Sequence, residues 1–193
     1  MIQTRIGNSS DIIGVLKLQE QNLYRNLSEE ELKNGFVTTP FSRQQIEEII
    51  AQKGLFVCLN EQQMVIAYVF AGSWDYFSQW EIFNVMTLRF PKLSFGTIPI
   101  TTTNSFQYGP ICIHKDYRGQ GIINNIFEAM RLVYVDKYPF SITFINKINV
   151  ISTRAHTQKL GWLVVDEFEF NNNTYIALAL DMTKSVLKKD KRT

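Results

Sequence analysis

Two glycines mark the part of this 193-residue chain where residue types and spacing say most about chemistry. Gly119 and Gly121 lie between an apolar, strand-like run that ends at Ile113 and a strongly periodic apolar run that begins at Ile122. Glycines that open a helix leave backbone N–H groups free, and the helix dipole favours negative charge at the same place. The sequence therefore predicts an anion site, and a diphosphate is the obvious ligand.

Three kinds of diphosphate ligand compete for such a site. A nucleoside triphosphate loop needs Gly-x-x-x-x-Gly-Lys-Ser/Thr, which the chain does not contain. A dinucleotide fingerprint needs a third glycine where the chain has Asn124, and an acid at the end of the next strand, where it has Phe144-Ile145-Asn146. Coenzyme A is the remaining candidate.

The helix start Arg118-Gly119-Gln120-Gly121 resembles the acetyl-CoA-binding motif of the GNAT N-acetyltransferase superfamily. A second family element has Asn, then Ser or Ala three residues later, then Tyr or occasionally His after four more. Asn149, Ser152 and His156 match that spacing. Leu160-Gly161-Trp162 follows, where the family has Leu-Gly-Phe.

The resemblance implies a GNAT acyl-CoA N-acyltransferase fold, a mixed α/β architecture with a central, mostly antiparallel sheet flanked by helices. It also implies an acetyl-CoA site. The strand over 111–113 would pair with the pantetheine arm and polarise the thioester carbonyl. The glycine turn would surround the diphosphate, and Asn149 and Ser152 would complete the site. The expected cofactor residues are Ile111, Cys112, Ile113, Arg118, Gly119, Gln120, Gly121, Ile122, Ile123, Asn124, Asn149 and Ser152, and no metal is expected.

The resemblance further implies that His156 acts as general acid toward the departing CoA thiolate, or hydrogen-bonds its sulfur. One residue more than the commonest family spacing precedes the Gly-Trp turn, so an alignment made from that turn would place Thr157 there instead. The spacing from Asn149 favours His156. Ile123 departs from the Gly or Ala of the family motif.

Other polar residues are candidates for the remaining proton transfers. His114, at the end of a predicted strand, is a second histidine that could face the site. The general base stays open, with Tyr108, Asp75 and Glu81 as candidates.

Apolar periodicity predicts a strand, helices, three strands, a helix, a strand, a helix and two strands, in that order. Gly109-Pro110 interrupts one of these strands and predicts a bulge or a break in pairing, because proline cannot donate to a sheet ladder. Residues 72–105 form an aromatic segment and a loop, which serve either as core or as a substrate-facing lid. We expect one domain over 1–183 and a basic tail over 184–193.

Composition excludes several classes of protein. Residues 1–183 have 15 basic and 17 acidic side chains, a net charge of −2, so no nucleic-acid partner is expected. Cys58 and Cys112 lie in apolar runs, which predicts reduced thiols, and neither is expected to bind an acyl group. Without a secretory signal or an apolar run of roughly 18 residues, the chain is expected to be soluble and cytoplasmic, without a membrane partner.

The function predicted from these residues is acetyl transfer from acetyl-CoA to a primary amine, on a peptide or a small molecule, by direct attack through a tetrahedral intermediate. The alternative is a non-catalytic acyl-CoA-binding or sensing module on the same fold, and a scaffold that binds no coenzyme A is a third. The acceptor, the acyl chain length and the oligomeric state, including a homodimer, stay open.

Overall fold

A computed structural model describes residues 1–187, and its centre is a seven-stranded sheet. Its strands are β1 (Gln3–Ile6), β2 (Leu55–Leu59), β3 (Val65–Gly72), β6 (Ser105–Ile113), β7 (Phe140–Asn146), β8 (Leu163–Phe170) and β9 (Asn173–Asp181), and a separate hairpin contains β4 (Ser94–Phe95) and β5 (Ile98–Pro99). The order across the sheet is β1-β2-β3-β6-β7-β9-β8. Neighbouring strands are antiparallel except β6 and β7, which confirms the predicted mixed sheet.

Seven helices connect these strands in the described part of the chain. They are α1 (Ile12–Glu20), α2 (Glu29–Leu32), α3 (Arg43–Ala51), α4 (Trp74–Phe77), α5 (Glu81–Thr87), α6 (Ile122–Tyr134) and α7 (Val150–Arg154). Serine residues begin several of them. Ser42, for example, accepts a hydrogen bond from the Gln45 backbone while the Gln45 side chain accepts one from the Ser42 backbone.

Both faces of the sheet are covered by apolar side chains. In β2, Leu55 and Val57 pack into the layer that contains α1 and α3, whereas Phe56 and Cys58 pack into the layer that contains α6. This alternation follows from the two-residue period of a strand. The central strands β2 and β3 are therefore buried on both sides.

The aromatic segment over 72–105 belongs to the core. Trp74, Phe77 and Phe83 are buried in the same layer as α1 and α3, and the rings of Phe77 and Phe83 lie 4.7 Å apart. The loop predicted within this segment contains the β4–β5 hairpin, which is not in the predicted order of strands. Core packing, the first of the two alternatives, therefore holds for these three aromatic side chains.

Strands β6 and β7 separate after a short parallel pairing. The register runs from Ser105 opposite Phe140 to Gln107 opposite Ile142 and then stops. On its other side, β6 shifts register against β3 opposite Gly109-Pro110, where Gly109 has a φ of +104°. The predicted interruption is thus confirmed, and it opens a wedge between the two central strands.

A glycine directly after a helix often ends it in a left-handed conformation, but Gly54 does not do so after α3. The left-handed residue is Lys53, with a φ of +58°, and the Gly54 N–H donates to the carbonyl of Ile49. A β-carbon on Gly54 would lie 2.0 Å from the carbonyl oxygen of Ala71. Glycine is required at 54 because two backbones approach closely, and not because of its φ.

The chain beyond β9 returns to α6. The Val186 N–H donates to the carboxylate of Glu128, and Lys184 pairs with Asp181 at 3.1 Å. Most of the predicted basic tail, residues 188–193, lies outside the described residues. Across residues 1–187, no helix has the length and apolar character needed to span a bilayer.

Adjacent substitutions at the end of α3 should act in opposite directions. Gly54→Ala forces a β-carbon into backbone and should lower the free energy of unfolding by about 1–3 kcal/mol. Lys53→Gly relieves a left-handed residue and should raise it by up to about 1 kcal/mol. Urea unfolding of both variants measures this; a neutral Gly54→Ala would refute the close approach.

Candidate functional site

A cavity of about 160 Å³ lies beside the wedge, between the end of β6, the start of α6 and α7. A single buried water needs only about 10–15 Å³, so the cavity has room for a ligand. Its lining includes eleven of the thirteen residues predicted from sequence, namely Ile111, Cys112, Ile113, Arg118, Gly119, Gly121, Ile122, Ile123, Asn149, Ser152 and His156. We call it the cofactor-side cavity.

Two predicted residues have other contacts. Gln120 donates from its side-chain amide to the carbonyl of Asp116, at 3.0 Å. Asn124 donates to the carbonyls of Lys159 and Val186, at 3.3 and 3.4 Å. Neither side chain is among those that line the cavity, so any role of these two residues rests on their backbone.

The glycine turn presents backbone donors to the cavity. Gly119 and Gly121 have φ values of +79° and +77°, and a β-carbon on either would meet no atom within 4 Å. Among residues 1–187, the backbone N–H groups of 119–123 have no hydrogen-bond partner. Open space beside free N–H groups at the start of a 13-residue helix fits a phosphate group.

Arg118 is bonded entirely to protein groups. Its guanidinium donates to the carbonyls of Ile113 and Asn34, at 3.0 and 2.7 Å, and to the side-chain oxygen of Asn22, at 2.8 Å. The side chain therefore ties the connection between α1 and α3 to the end of β6. Its position builds the cavity wall, and a contact with diphosphate stays a prediction.

Asn149 makes a second tie to the same connection. Its amide donates to the carbonyl of Phe36 at 3.1 Å, and its side-chain oxygen accepts from the Ser152 N–H at 3.3 Å. Asn149 therefore caps α7 and holds the backbone of Phe36 beside the cavity. Residues 34–37, which line the cavity, were not identified from sequence, where Gly35 is their one conspicuous feature.

The last helical segment is not α-helical throughout. The α-helix ends at Arg154, and the turn Ala155–Leu160 is π-helical, closed by Gly161 with a φ of +79°. A π turn accommodates an additional residue, which accounts for the extra residue before Gly161-Trp162. His156 lines the cavity, whereas the Thr157 hydroxyl donates to the Thr153 carbonyl at 2.9 Å.

His156 is neutral in this environment. Its ring is 2% exposed, and Nδ1 lies 2.7 Å from the carbonyl oxygen of Ser152, which can only accept, so Nδ1 has the proton. Nε2 is buried and has no partner among the described residues. Burial lowers the pKa of His156 to about 4, against the opposing effect of the Ser152 hydrogen bond.

A second cleft opens on the other side of His156, where β6 and β7 have separated. Its lining includes Thr38, Thr39, Phe83, Gln107–Ile111 and Thr143–Asn146, and it shares Phe36, Val37, Ile111, Asn149, Ser152 and His156 with the cofactor-side cavity. We call it the acceptor-side cleft. Two ligands, one in each space, would meet at the shared residues.

The candidate bases differ in how near they come to this meeting point. Tyr108 lines the acceptor-side cleft, and burial raises its pKa strongly. Asp75 and Glu81 are exposed side chains that are not among the lining of either space. His114 contacts the backbone and carboxylate of Asp116 at the outer end of β6.

The cysteine in the cavity wall, Cys112, is a protonated thiol of low reactivity at neutral pH. Cys112 donates weakly to the carbonyl of Leu18, at 3.8 Å, and burial raises the pKa of its thiol to about 12. A thiol in that state is a poor nucleophile at neutral pH.

The pKa of His156 predicts an acid-sensitive fold. Because the ordinary pKa is 6.5 and the folded value is about 4, the folded state binds fewer protons between these values. Stability is therefore complete above about pH 6.5 and falls as the pH drops toward 4. From pH 7 to pH 5 this residue should account for a loss of about 2 kcal/mol in the free energy of unfolding.

Urea unfolding at the two pH values, on the wild type and on His156→Gln, tests this expectation. The variant removes the titrating group, so its loss between pH 7 and pH 5 should be smaller by about that amount. Equal losses in the two proteins would mean that His156 is not held neutral.

Comparison with known proteins gives matches in structure alone. No protein-family model matches the chain, and no curated protein matches it in sequence. A polyamine N-acetyltransferase from Drosophila melanogaster has a TM-score of 0.67 at 11% identity, covering 94% of this chain and 100% of that one. The NatC complex bound to Gag peptide and CoA has a chain with a TM-score of 0.60 at 13% identity, covering 93% and 98%.

A putative acetyltransferase from Salmonella typhimurium, solved with its cofactor acetyl-CoA, has a TM-score of 0.61 at 10% identity, covering 98% of this chain and 99% of that one. TM-scores of 0.60 to 0.67 establish the fold. At identities this low, the chemistry has to be argued from the site itself. The chain therefore has the GNAT N-acetyltransferase fold that its sequence motifs predicted.

Proposed function

We propose that residues 1–183 form an N-acetyltransferase domain that moves an acetyl group from acetyl-CoA to a primary amine. The observation that supports this most is the meeting of the cofactor-side cavity and the acceptor-side cleft at His156, beside the unpaired edge of β6. A thioester placed from one side and an amine placed from the other would react there directly. Positioning of this kind lowers the barrier without a covalent enzyme intermediate.

The cofactor-side cavity fits coenzyme A in its chemistry. Free N–H groups at 119–123 suit the diphosphate, and the open space beside Gly119 and Gly121 admits it. The edge of β6 over 111–113 provides backbone groups for the pantetheine and for the thioester carbonyl, as an added strand would use them. Acetyl-CoA supplies the activated acetyl group, and every other part of the step belongs to the chain and the amine.

The protons are assigned to His156, with one refinement of the sequence-based role. Because Nε2 has no proton at rest, His156 must accept one before it can act as an acid. The attacking nitrogen becomes positively charged as the C–N bond forms and gives a proton to Nε2. The C–S bond then breaks, and the thiolate takes that proton, which returns His156 to its neutral state.

The acceptor is proposed as a peptide or small-molecule amine. Among proteins of similar fold, one structure contains a Gag peptide with CoA, and another protein is a polyamine N-acetyltransferase that forms N-acetylagmatine. These names support an amine acceptor in general. The low pKa of His156 keeps the non-catalytic acyl-CoA-binding module as the second candidate, because a weak base in the site is compatible with binding alone.

The glycine turn gives a test of coenzyme A binding. Gly121→Ala places a methyl group where the diphosphate would lie and should weaken CoA at least tenfold in calorimetric titration. Gly96→Ala is the matched control, because Gly96 also has a positive φ, +60°, and open space around its β-carbon position. Each variant should lose about 1–2 kcal/mol of stability from backbone strain, and equal CoA affinities in the two would contradict the assigned site.

Thiol release from acetyl-CoA with a panel of amines tests the reaction. We expect wild-type turnover, and His156→Gln should lower kcat by about 10²–10⁴ while CoA affinity changes less than twofold. Thr157→Val is the control, since Thr157 neighbours His156 but bonds only to the Thr153 carbonyl, and it should keep its rate. Binding of CoA without thiol release for any amine would replace the enzyme with the binding module.

A further inference from the structure

Gln107 lies at the point where β6 and β7 stop pairing and the wedge between them begins. It is the last residue of β6 that pairs with β7, and it is 3% exposed. Its side-chain nitrogen donates to the carbonyl oxygen of Tyr108 at 2.7 Å, which fixes the orientation of the amide. Its side-chain oxygen Oε1 is buried and has no hydrogen-bond partner among the described residues.

A buried carbonyl oxygen without a partner requires an explanation, because burying an unpaired polar group costs about 1–3 kcal/mol. Gln107 lines the acceptor-side cleft together with Thr143. The two side chains also converge on Gly109, since a β-carbon there would lie 3.5 Å from Thr143 Oγ1 and 4.0 Å from Gln107 Nε2. This part of the cleft lining is thus polar and uncharged, and Gln107 Oε1 is its one buried side-chain polar atom without a partner among the described residues.

We infer that Gln107 accepts a hydrogen bond from the acceptor amine, and that the cleft therefore favours amines that are largely neutral at physiological pH, as peptide α-amines are. This inference rests on the proposed function, of which it names the substrate class. Gln107 is assigned as a positioning and specificity-determining residue. It neither gives nor takes a proton.

The chemical reason is the difference between a carbonyl and a carboxylate as partner of an amine. A carboxylate stabilises the ammonium form, which has no lone pair and cannot attack a thioester. A neutral carbonyl accepts from an N–H of the free amine and leaves its lone pair available. A site built on Gln107 therefore positions the reactive form, and it favours the unreactive ammonium less than a carboxylate would, because the carbonyl lacks the negative charge.

The surroundings of the cleft have the same character. Among residues 1–187, the titratable groups that line it are Tyr108 and His156, and burial keeps both uncharged at neutral pH. Phe36, Phe83 and Phe144 provide apolar walls, which disfavour an ammonium further. Two ion pairs lie on neighbouring elements, Lys147 with Glu167, at 2.8 Å, and Arg89 with Asp166. Glu81 on α5 is an exposed carboxylate that is not among the lining residues.

The size of the selection follows from ordinary amine pKa values. A peptide α-amine, with a pKa near 8, is about one quarter neutral at pH 7.5, whereas a lysine side chain, with a pKa near 10.4, is about 0.1% neutral. Without a carboxylate or a strong base to compensate, the α-amine has an advantage of roughly two-hundredfold in reactive concentration.

Three acceptors test the inference with the full-length protein and acetyl-CoA at pH 7.5. One is a lysine-free peptide with a free N-terminus, the second is the same peptide with a blocked N-terminus and one lysine, and the third is spermidine. We expect kcat/KM for the free N-terminus to exceed the other two at least tenfold. Equal or higher values for the lysine peptide or spermidine would overturn the inference and leave the proposed function standing.

Substitutions at Gln107 separate positioning from folding. Gln107→Leu should raise KM for the peptide at least tenfold with CoA affinity unchanged. Gln107→Glu introduces a carboxylate, so the rise of kcat with pH for the peptide should move up by about one pH unit, and the preference over spermidine should shrink. Gln79→Glu adds the same charge on an exposed helix end outside the cleft and should change neither quantity.

The pH profile is the decisive readout, because a residue needed only for folding would lower activity without moving it. An unchanged profile and preference in Gln107→Glu would overturn the inference even if Gln107→Leu fails to fold. Absence of acetylated product from all three acceptors, with CoA bound, would remove the proposed function and this inference with it.

Discussion

Backbone N–H and C=O groups inside a protein must find partners, and two strands that part in mid-sheet leave a row of them unpaired. Here β6 and β7 pair over three residues and then separate in the middle of a seven-stranded sheet. Apolar layers on both faces support the separated strands. The cofactor-side cavity, the acceptor-side cleft and the position of Gln107 all follow from this one separation.

The order of strands and helices was predictable because it depends on local periodicity and on turn residues. The glycine turn was predictable for the same reason: Gly119 and Gly121 impose a backbone shape that few other residues adopt. Eleven of the thirteen residues singled out by motif spacing line one cavity, and their roles stay predictions. The order of elements and the glycine turn both depend on residues that are close neighbours in sequence.

The features that could not be predicted from the sequence depend on contacts between distant parts of the chain. The wall formed by residues 34–37 is held by Arg118 and Asn149, which are 84 and 113 residues away from the carbonyls they bind. The need for glycine at 54 comes from Ala71 on another strand. The protonation of His156 is set by its burial, which no spacing rule reports. The π turn that keeps His156 at the cavity was visible in sequence only as one surplus residue.

Arg118 and Asn149 couple the cofactor-side cavity to the acceptor-side cleft. Both side chains line the cofactor-side cavity, and they bind the backbone carbonyls of Asn34 and Phe36. Phe36 also lines the acceptor-side cleft. A ligand that forms a hydrogen bond with the Asn149 amide or the Arg118 guanidinium weakens the bond of that group to the carbonyl of Phe36 or Asn34. It thereby changes the wall that a ligand in the other space would contact. The affinities for ligands in the two spaces are then thermodynamically linked, and by reciprocity each ligand must alter the affinity for the other by the same factor.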